Sequence, residues 1–555
     1  MSKIRITLQD GKVFESAPGI EAGSFVNQSD FSPGLPCIGV AVNNDIAGLT
    51  FPLTVNSELR FLTMADPNGW SIYFRSLCFL LAKAIHDLFP DAEFLVEHSF
   101  GTGLYCSFHL PGNHNGITQE QLRAVEARMH ALVQADRPIE RNKIAFMDAY
   151  RLLEKSQQND KLLLLQYRNP PRVVIHECDG FYDLSHGPLA AQTGVLKTFE
   201  LIHYPPGFVL NLPTRLNPTA IAPFEDQPHL FQIFKEHKEW GRILGVTMAG
   251  QLNQIIAKDK IADFIFTAEA LHEKKISRIA DQIAAQRGSV KVVLIAGPSS
   301  AGKTTFAKRL TTHLRVNGLQ PITLGTDDYF VGIDKNPLDE NGKPDYEHIN
   351  AVDLALFNQN MMDLINGRDV QLPRFNFETQ KRECRNEAMR IAEDQIIIIE
   401  GIHGLNPELT HMIPPDRKFK IYVNALTQLN IDSHNRIATT DNRLLRRMVR
   451  DHQFRGHSAL QTLRNWPSVR KGEERWIFPF QREANATFNS ALDYEMAILK
   501  PLAEPLLTQI KPSEPEYGEA RRLTEFLLNF IPCSDRYVPG ISILREYIGR
   551  SSFRY

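Results

Sequence analysis

The chain has 555 residues, of which 43% are hydrophobic and 23% charged, and its formal net charge is −2. This length predicts roughly three or four domains, and the composition is that of an ordinary globular protein. Residues 1–250 hold 21 Lys+Arg against 26 Asp+Glu, and residues 251–555 hold 41 against 38. Neither half therefore has the strongly basic character typical of non-specific nucleic-acid binding.

The cysteines and the apolar runs indicate the compartment. Six cysteines are scattered without a C-x-x-C pair, which favours reduced thiols over disulfides or a zinc site. They are Cys37, Cys78, Cys106, Cys178, Cys384 and Cys533. The first residues contain no apolar run, so we expect no signal peptide. The longest purely aliphatic run, residues 396–399, is far shorter than the ~20 residues of a membrane span. We therefore expect a soluble cytoplasmic protein.

The first residues in chain order predict a small β-rich module. The runs IRITL and KVFES flank the turn Asp10-Gly11, which is a hairpin signal. Short strands follow around CIGVAV and ELRFL. Together with Pro18-Gly19, the pattern resembles a TGS domain, the small ubiquitin-like fold at the N-terminus of threonyl-tRNA synthetases.

The next region combines a helix with a strand pair. Residues 74–92 predict an amphipathic helix, and residues 97–110 predict two paired strands. With residues 182–201, they resemble the editing-type second domain of threonyl- and alanyl-tRNA synthetases. The resemblance implies four positions able to hold zinc, and in this chain they are Arg75, Phe79, Ser185 and Leu189. None offers a thiolate or an imidazole, so we expect the scaffold without the hydrolytic chemistry and without zinc. The nearby His98, His109, His176 and His186 lack ligand spacing, and we interpret them as structural or surface residues.

The most informative motif is GPSSAGKT at residues 297–304, which fills every fixed position of the phosphate-binding loop (P-loop) pattern G-x-x-x-x-G-K-[ST]. The apolar run before it predicts a buried strand, and the helical pattern after it predicts a helix whose N-terminus faces the phosphates. We therefore predict an ATP site in which Lys303 reaches the β/γ-phosphates and Thr304 contacts Mg²⁺. The predicted nucleotide-binding residues are Gly297, Pro298, Ser299, Ser300, Ala301, Gly302, Lys303, Thr304 and Thr305.

Two acidic strand ends follow the P-loop. Residues 322–330, ITLGTDDYF, predict a strand that ends on two acids at the edge where α/β folds bind ligands. A hydroxyl acceptor needs a carboxylate to orient it and take its proton, so we predict Asp327 as the base, with Asp328 as the alternative. The run IIIIEGIHGL at residues 396–405 predicts a second buried strand, whose Glu400 would join Thr304 at Mg²⁺.

A row of arginines lies further along the chain. Residues 441–457 place Arg443, Arg446, Arg447 and Arg450 on one helical face, where we expect no acidic residue at i±4 to neutralise them. Guanidinium groups suit phosphate oxygens. The pattern, with Arg455 after it, therefore predicts a mobile lid that closes over ATP.

These motifs together resemble the uridine kinase and phosphoribulokinase branch of P-loop kinases. The resemblance also covers DYEHINAVD at residues 345–353 and LPRFNFETQKR at residues 372–382. It implies that Asp327 is the catalytic base, and that Lys303 and Arg447 stabilise the transferring charge. It also implies Arg450 and Arg455 at the phosphates of ATP.

The same resemblance implies an acceptor site. Glu347 and His348 would hold the sugar, with Phe375, Gln380 and Arg382 around the rest of the acceptor. Uridine kinases have a Tyr and a His around the pyrimidine where this chain has Phe375 and Gln380, and Glu347 and His457 also replace the usual Asp and Arg. The implied pocket suits a nucleoside, with pyrimidine specificity left open.

We predict an α/β protein whose P-loop core contains a parallel sheet. The predicted regions are a TGS-like module (1–65), a synthetase-editing-like α+β domain (66–240), a helical connector (241–288), the P-loop domain (289–510) and a helical extension (511–555). The whole arrangement resembles a group of bacterial proteins labelled uridine or nucleoside kinases.

Three functions follow from these observations. The first is transfer of the γ-phosphate of MgATP to the 5′-hydroxyl of a nucleoside such as uridine. The second keeps the transfer but uses another sugar or a phosphorylated sugar as acceptor. The third is an RNA- or ribosome-associated regulatory ATPase, which the acidic balance of the first half disfavours. We expect no membrane partner, and self-association is left open.

Overall fold

The computed structural model describes residues 3–29, 34–112, 116–339, 342, 344–376, 379, 381–392 and 394–555. The predicted acceptor residue Gln380 lies outside the described residues. The chain divides into two compact units, each built from separated segments. Unit 1 comprises Met1–Lys260, Gln428–Ala438 and Glu504–Cys533, and unit 2 comprises Ile261–Thr427, Thr439–Ala503 and Ser534–Tyr555. The five linear regions predicted from the sequence stay a prediction.

The elements of the first 260 residues are as follows. The strands are β1 (Ile4–Leu8), β2 (Val13–Ser16), β3 (Ile20–Glu21), β4 (Gly39–Val42), β5 (Asp45–Ala47), β6 (Pro52–Leu53), β7 (Ser57–Leu62), β8 (Glu93–Phe100), β9 (Gly103–His109), β10 (Glu140–Ala145), β11 (Arg172–Cys178), β12 (Phe181–Asp183), β13 (Glu200–Tyr204) and β14 (Gly207–Asn211). The α-helices are α1 (Pro67–Leu88), α2 (Gln119–Gln134), α3 (Phe146–Lys155), α4 (Asn159–Tyr167), α5 (Pro228–Leu244) and α6 (Ala249–Ala257).

The remaining elements begin with the helix that opens unit 2. The strands are β15 (Val292–Ala296), β16 (Gln320–Gly325), β17 (Val370–Asn376), β18 (Lys381–Met389), β19 (Gln395–Glu400), β20 (Lys418–Asn424) and β21 (Ala486–Asn489). The α-helices are α7 (Ile261–Ala284), α8 (Lys303–Val316), α9 (Leu354–Ile365), α10 (Thr439–Arg455), α11 (Ala459–Trp476), α12 (Glu495–Leu507), α13 (Tyr517–Leu527) and α14 (Arg545–Ile548).

Unit 1 begins with a five-stranded sheet in the order β2-β1-β7-β4-β5. The predicted hairpin around Asp10-Gly11 is present, because β1 and β2 pair in antiparallel register from Ile4↔Ser16 to Thr7↔Val13. Strand β1 also pairs in parallel with β7, so it lies inside the sheet. Its alternating Ile4, Ile6 and Leu8 are buried, as expected for a strand that covers a core with one face.

The second part of unit 1 packs α1 against an antiparallel sheet in the order β13-β14-β9-β8. The predicted strand pair is confirmed as β8 and β9. Helix α1 begins several residues earlier than the sequence pattern indicates, since Pro67 occupies its first turn, where the missing N–H costs nothing. A separate antiparallel sheet has the order β10-β11-β12.

Unit 2 is organised around a parallel sheet in the order β16-β19-β15-β20-β21. All five residues of β15 are buried, which explains why its sequence is a continuous apolar run. Glu400 aligns with Ile295 of β15 and Gly325 of β16, so these strands end at the same level. This sheet confirms the predicted α/β class with a P-loop core, and its carboxyl edge positions the candidate site.

The cysteines are all free thiols, in line with the sequence. Within the part of the chain that the structure describes, none of the helices combines the length and the apolar character needed to cross a bilayer.

Candidate active site at the P-loop

The P-loop connects β15 to α8 by a backbone that requires glycine at two positions. Gly302 has φ +84°, a left-handed conformation in which any larger residue is strained. Gly297 has a different constraint, because a Cβ at this position would lie 1.9 Å from the carbonyl oxygen of Val423 in β20. The spacing of the motif therefore follows from one tight turn and one close approach to the neighbouring strand.

The two polar residues that end the motif have distinct partners. The Lys303 ammonium donates to the carbonyl oxygens of Gly297 at 2.9 Å and Pro298 at 3.1 Å, so it lies folded over the loop. The Thr304 hydroxyl donates to Glu400 Oε1 at 2.8 Å. The structure thus brings together the two residues that the sequence assigned to Mg²⁺, although β19 is almost a hundred residues beyond the loop.

Asp327 and Glu400 lie at the carboxyl ends of the neighbouring strands β16 and β19. Asp327 lies on the turn directly after β16, since the strand ends at Gly325, earlier than the sequence pattern indicates. The surrounding protein removes water from the carboxyl and raises its pKa, and Asp328 adds to this while Lys303 opposes it. The pKa of Glu400 is also raised, again chiefly by burial. Carboxylates with raised pKa values beside a lysine are typical of catalytic clefts.

Glu347 has the most clearly shifted carboxyl of the site. Burial is the main cause, Glu473 adds negative charge nearby, and together they raise the pKa of Glu347 from 4.5 to about 7 in spite of Arg447 and Lys303. The side chain packs against α11, where a Cβ on Gly472 would lie 2.6 Å from Glu347 Cβ. A carboxyl with this pKa changes its charge near neutral pH.

The prediction that these arginines lack acidic neighbours is wrong, because all four have a carboxylate partner. Arg443 and Arg446 of α10 are fully buried. Arg443 pairs with Glu473, to which its second nitrogen donates at 2.7 Å, and Arg446 pairs with Glu495 at 2.6 Å. Arg447 lies 3.2 Å from Asp451, one turn further along the same helix. Charges this deep need such partners, because an unpaired buried charge is strongly unfavourable.

The buried arginines contact the P-loop through its backbone. Arg443 donates to the Ser299 carbonyl oxygen at 3.1 Å, and Arg446 donates to that of Ser300 at 3.4 Å. Glu473 accepts the N–H of Ser299 at 2.9 Å. These two ion pairs therefore hold the loop in place through the backbone of Ser299 and Ser300. Sequence reasoning missed Glu473, since nothing in the helical run around it distinguishes it from a surface acid.

The three arginines predicted to face phosphates cluster around one carboxylate. Arg447, Arg450 and Arg455 lie 3.2, 2.8 and 3.6 Å from Asp451, which is 1% exposed. Arg447 also donates to the Ser299 hydroxyl of the P-loop at 2.7 Å. Three guanidinium groups that share one carboxylate retain an excess of positive charge, which suits a polyphosphate.

The predicted acceptor residues have mixed positions. His348 lies edge-on to Trp476, with ring centroids 4.6 Å apart. Phe375 is 5% exposed and packs edge-on against Phe330 in the core, so it offers little ring face to a ligand. Arg382 is bound to Asp353 at 2.7 Å. Trp476 was missed from sequence, where a lone Trp at a helix end carries no signal. The acceptor roles of these residues stay predictions.

The residues of this site lie within the match to a known protein family. Residues 292–497 match the model of the Phosphoribulokinase / Uridine kinase family. This match confirms the resemblance of the P-loop region, and this part of the chain has the kinase fold of that family. It covers the P-loop, both acidic strand ends and the arginine helix α10.

Two solved structures are similar to part of the chain. A possible uridine kinase from Bacillus stearothermophilus is 20% identical with a TM-score of 0.28, and the match covers 39% of this chain and 98% of that one. The D-glycerate 3-kinase of Cryptococcus neoformans is 15% identical with a TM-score of 0.21, over 46% of this chain and 87% of that one.

The curated relatives are similar to another part of the chain. Threonine–tRNA ligase of Thermotoga petrophila is 29% identical over 242 residues, which are 42% of this chain and 37% of the ligase. The ligase of Acidithiobacillus ferrooxidans is 32% identical over 166 residues, 30% of this chain and 25% of the ligase. The chain therefore spans well under half the length of these relatives, and the synthetase-like resemblance of unit 1 is confirmed at the level of similarity.

The four former ligand positions in unit 1 have structural roles. Arg75 donates to the Pro188 carbonyl oxygen at 3.2 Å, and Ser185 donates to that of Gly187 at 3.1 Å. Phe79 and Leu189 are buried in the core. Across the described ranges, no group of three or more His, Cys, Asp or Glu is arranged to hold a metal ion. The expectation of a zinc-free domain stays a prediction.

A buried ion pair lies close to these positions. Lys161, 1% exposed, pairs with Asp183, whose other oxygen lies 2.6 Å from His434 Nδ1. Burial alone would lower the pKa of Lys161, but Asp183 and neighbouring carboxylates outweigh it and raise the pKa. His434 belongs to the segment Gln428–Ala438, which the chain returns to unit 1 between two elements of unit 2. Sequence reasoning did not detect this network, whose members are far apart in the chain.

Proposed function

We propose that the protein is an ATP-dependent kinase that transfers the γ-phosphate of ATP to a hydroxyl of a nucleoside. The observation that carries the proposal is the arrangement at the carboxyl edge of the sheet of unit 2. There the positive charge of Lys303 acts on the Asp327 carboxylate and favours its charged form, and the Thr304 hydroxyl donates to the carboxylate of Glu400. This arrangement supplies phosphate binding and a proton acceptor together, which phosphoryl transfer requires.

In this mechanism Asp327 orients the acceptor hydroxyl and takes its proton as the oxygen attacks. Its raised pKa favours this role, since a general base works best when its pKa approaches the working pH. Lys303 lies over the loop and moves from the carbonyl oxygens of Gly297 and Pro298 to the phosphate oxygens. Arg447 faces the same loop through Ser299 and stabilises the charge that develops on the transferred group.

The donors at the loop fit a magnesium ion. Thr304 and Glu400 offer a hydroxyl and a carboxylate oxygen 2.8 Å apart, and Mg²⁺ prefers oxygen ligands from one or two protein groups beside phosphates. When bound, the ion would neutralise phosphate charge. Arg450 and Arg455, which share Asp451, would close over the nucleotide from α10.

One observation favours the second candidate, a kinase that acts on a sugar without a base. Phe375, the residue expected to stack on a nucleobase, is almost entirely covered by the core. Glu347 and His348, expected to hold the sugar, remain partly accessible. An acceptor recognised mainly through its hydroxyl groups would use these two residues alone.

An acceptor screen separates the candidates. We expect radiolabel from γ-labelled ATP to appear on at least one ribonucleoside, with the Lys303→Ala variant as the matched inactive control. Because Phe375 has no hydroxyl with which to bond to the edge of a base, we expect kcat/KM for the best nucleoside to exceed that for the second best by less than about 10³-fold. Transfer to sugars or phosphorylated sugars alone would establish the second candidate. Hydrolysis without any acceptor, stimulated by RNA, would instead favour a regulatory ATPase. A cytoplasmic location fits all three.

A further inference from the structure

A segment from the end of unit 2 lies on the first turn of the P-loop helix. Glu546 Oε2 accepts hydrogen bonds from the backbone N–H of Thr305 at 3.2 Å and from its hydroxyl at 2.7 Å. The Tyr555 hydroxyl lies 2.7 Å from the same Thr305 hydroxyl. We call residues 545–555 the capping segment. Its partner, Thr305, is the last of the predicted nucleotide-binding residues.

The Glu546 carboxylate lies at the N-terminus of α8, and a helix N-terminus attracts anions. The first N–H groups of a helix have no partner within the helix, and they bind phosphate in P-loop proteins. In α8 the N–H of Phe306 already bonds to the Gly302 carbonyl oxygen at 3.0 Å, whereas the Thr305 N–H before it takes its acceptor from outside the helix. That acceptor is Glu546. A carboxylate oxygen therefore takes the place that a phosphate oxygen would need.

The capping segment is held in this position by packing. A Cβ on Gly302 would lie 2.5 Å from Ile543 Cγ2, so the chain just before the segment contacts the loop directly. The guanidinium carbon of Arg446 lies 5.2 Å from the centre of the Tyr547 ring, within the range of a cation–π interaction. Both Ile543 and Tyr547 are buried. The backbone that carries the Glu546 carboxylate is thus held against the loop.

The charge of Glu546 also reaches the expected magnesium residue. Burial is the main cause of the raised pKa of Glu400, and Glu546 adds to it. A phosphate group that arrives at Thr305 would meet this charge at close range, inside a cleft where water screens it poorly. Carboxylate and phosphate therefore exclude each other by contact and by repulsion.

We propose that the capping segment is an autoinhibitory element that competes with ATP for the P-loop through Glu546. The inference rests on the proposed ATP site, and it concerns binding and not the identity of the acceptor. ATP binds only to molecules in which Glu546 has left Thr305, so the apparent affinity is lowered by the fraction of molecules that are open.

The test is direct binding of ATP to the full chain, by calorimetry, with Mg²⁺ and with a chelator. We expect Glu546→Ala to lower the Kd for ATP about 10-fold, the size of one charge-assisted hydrogen bond that no longer competes. Glu546→Gln should give a smaller decrease, because its amide oxygen still accepts a hydrogen bond. Asp416→Asn is the matched control, since it removes an exposed carboxylate before β20, at the opposite edge of the sheet, and should leave Kd unchanged.

The outcomes separate this inference from the proposed function. Unchanged or weaker ATP binding by folded Glu546→Ala, checked by thermal unfolding, overturns the inference even if the enzyme phosphorylates a nucleoside. Weaker binding only with Mg²⁺ would place Glu546 among the metal ligands and also overturn it. Tighter binding without transfer to any acceptor would support autoinhibition and refute the nucleoside kinase. Absence of ATP binding in every variant would overturn both.

Discussion

Ionisation of Glu347 should control how the acceptor binds near neutral pH. Burial and Glu473 raise its pKa to about 7, so about 10% of the molecules carry the charged form at pH 6 and about 90% at pH 8. Only the carboxylate accepts charge-assisted hydrogen bonds from two sugar hydroxyls. We therefore expect kcat/KM for the acceptor to rise roughly 10-fold between these pH values.

Glu347→Gln keeps the shape of the side chain and removes the titration. The variant should lose the inflection near pH 7 and stay at or below the low-pH value of the wild type. Initial rates of ADP release, measured against acceptor concentration at saturating MgATP from pH 5.5 to 8.5, give the profile. Glu474→Gln is the matched control, because it removes an exposed carboxylate from the same helix that Glu347 packs against. An inflection that persists in Glu347→Gln refutes the assignment.

The pH dependence of stability gives an independent check on the raised pKa of Glu347. The folded state binds the Glu347 proton more tightly than the unfolded state, whose pKa is 4.5. The stabilisation of the folded state by this proton is therefore fully present below pH 4.5 and is lost as the pH rises through about 7. The difference corresponds to at most about 3 kcal/mol, and partial exposure reduces it to about 1–2 kcal/mol. Glu347→Gln should thus raise the unfolding temperature relative to the wild type at pH 8 and not at pH 4.

Three further substitutions test the site. Lys303→Ala should abolish phosphoryl transfer and leave the circular dichroism spectrum unchanged, since the ammonium acts on phosphate charge; a near-normal kcat would contradict the P-loop role. Asp327→Asn should lower kcat roughly 10²–10⁴-fold with little change in ATP affinity. An active Asp327→Asn beside an inactive Asp328→Asn would reassign the base to the second acid. Gly472→Ala should raise the acceptor KM and lower the free energy of unfolding by about 1–3 kcal/mol, because the new methyl group would lie 2.6 Å from Glu347 Cβ. Unchanged KM and unfolding curves would show that Glu347 and α11 move apart freely there.

Local sequence patterns predicted the P-loop, its flanking strand and helix, and the acidic ends of β16 and β19. Each of these features depends on residues that are close in the chain: a continuous apolar run, a glycine in a left-handed turn, or an acid just after a buried strand. The hairpin of β1 and β2 and the pair of β8 and β9 were predictable for the same reason. Motif order along the chain then predicted the kinase fold, which the family match over residues 292–497 confirms.

Contacts between distant residues were decided by the tertiary structure alone. The sequence predicted an unneutralised row of arginines on α10, because the carboxylates that pair with Arg443 and Arg446 come from α11 and α12. Phe375 read as a stacking face, but the core covers it. Glu546 lies 241 positions beyond Thr305 and carries no motif, yet it reaches the helix N-terminus at which phosphate binds. Sequence by itself determined which residues favour phosphate chemistry, since that information is local. The fold determined which of their charges are available, since a buried charge takes its partner from whichever element packs against it.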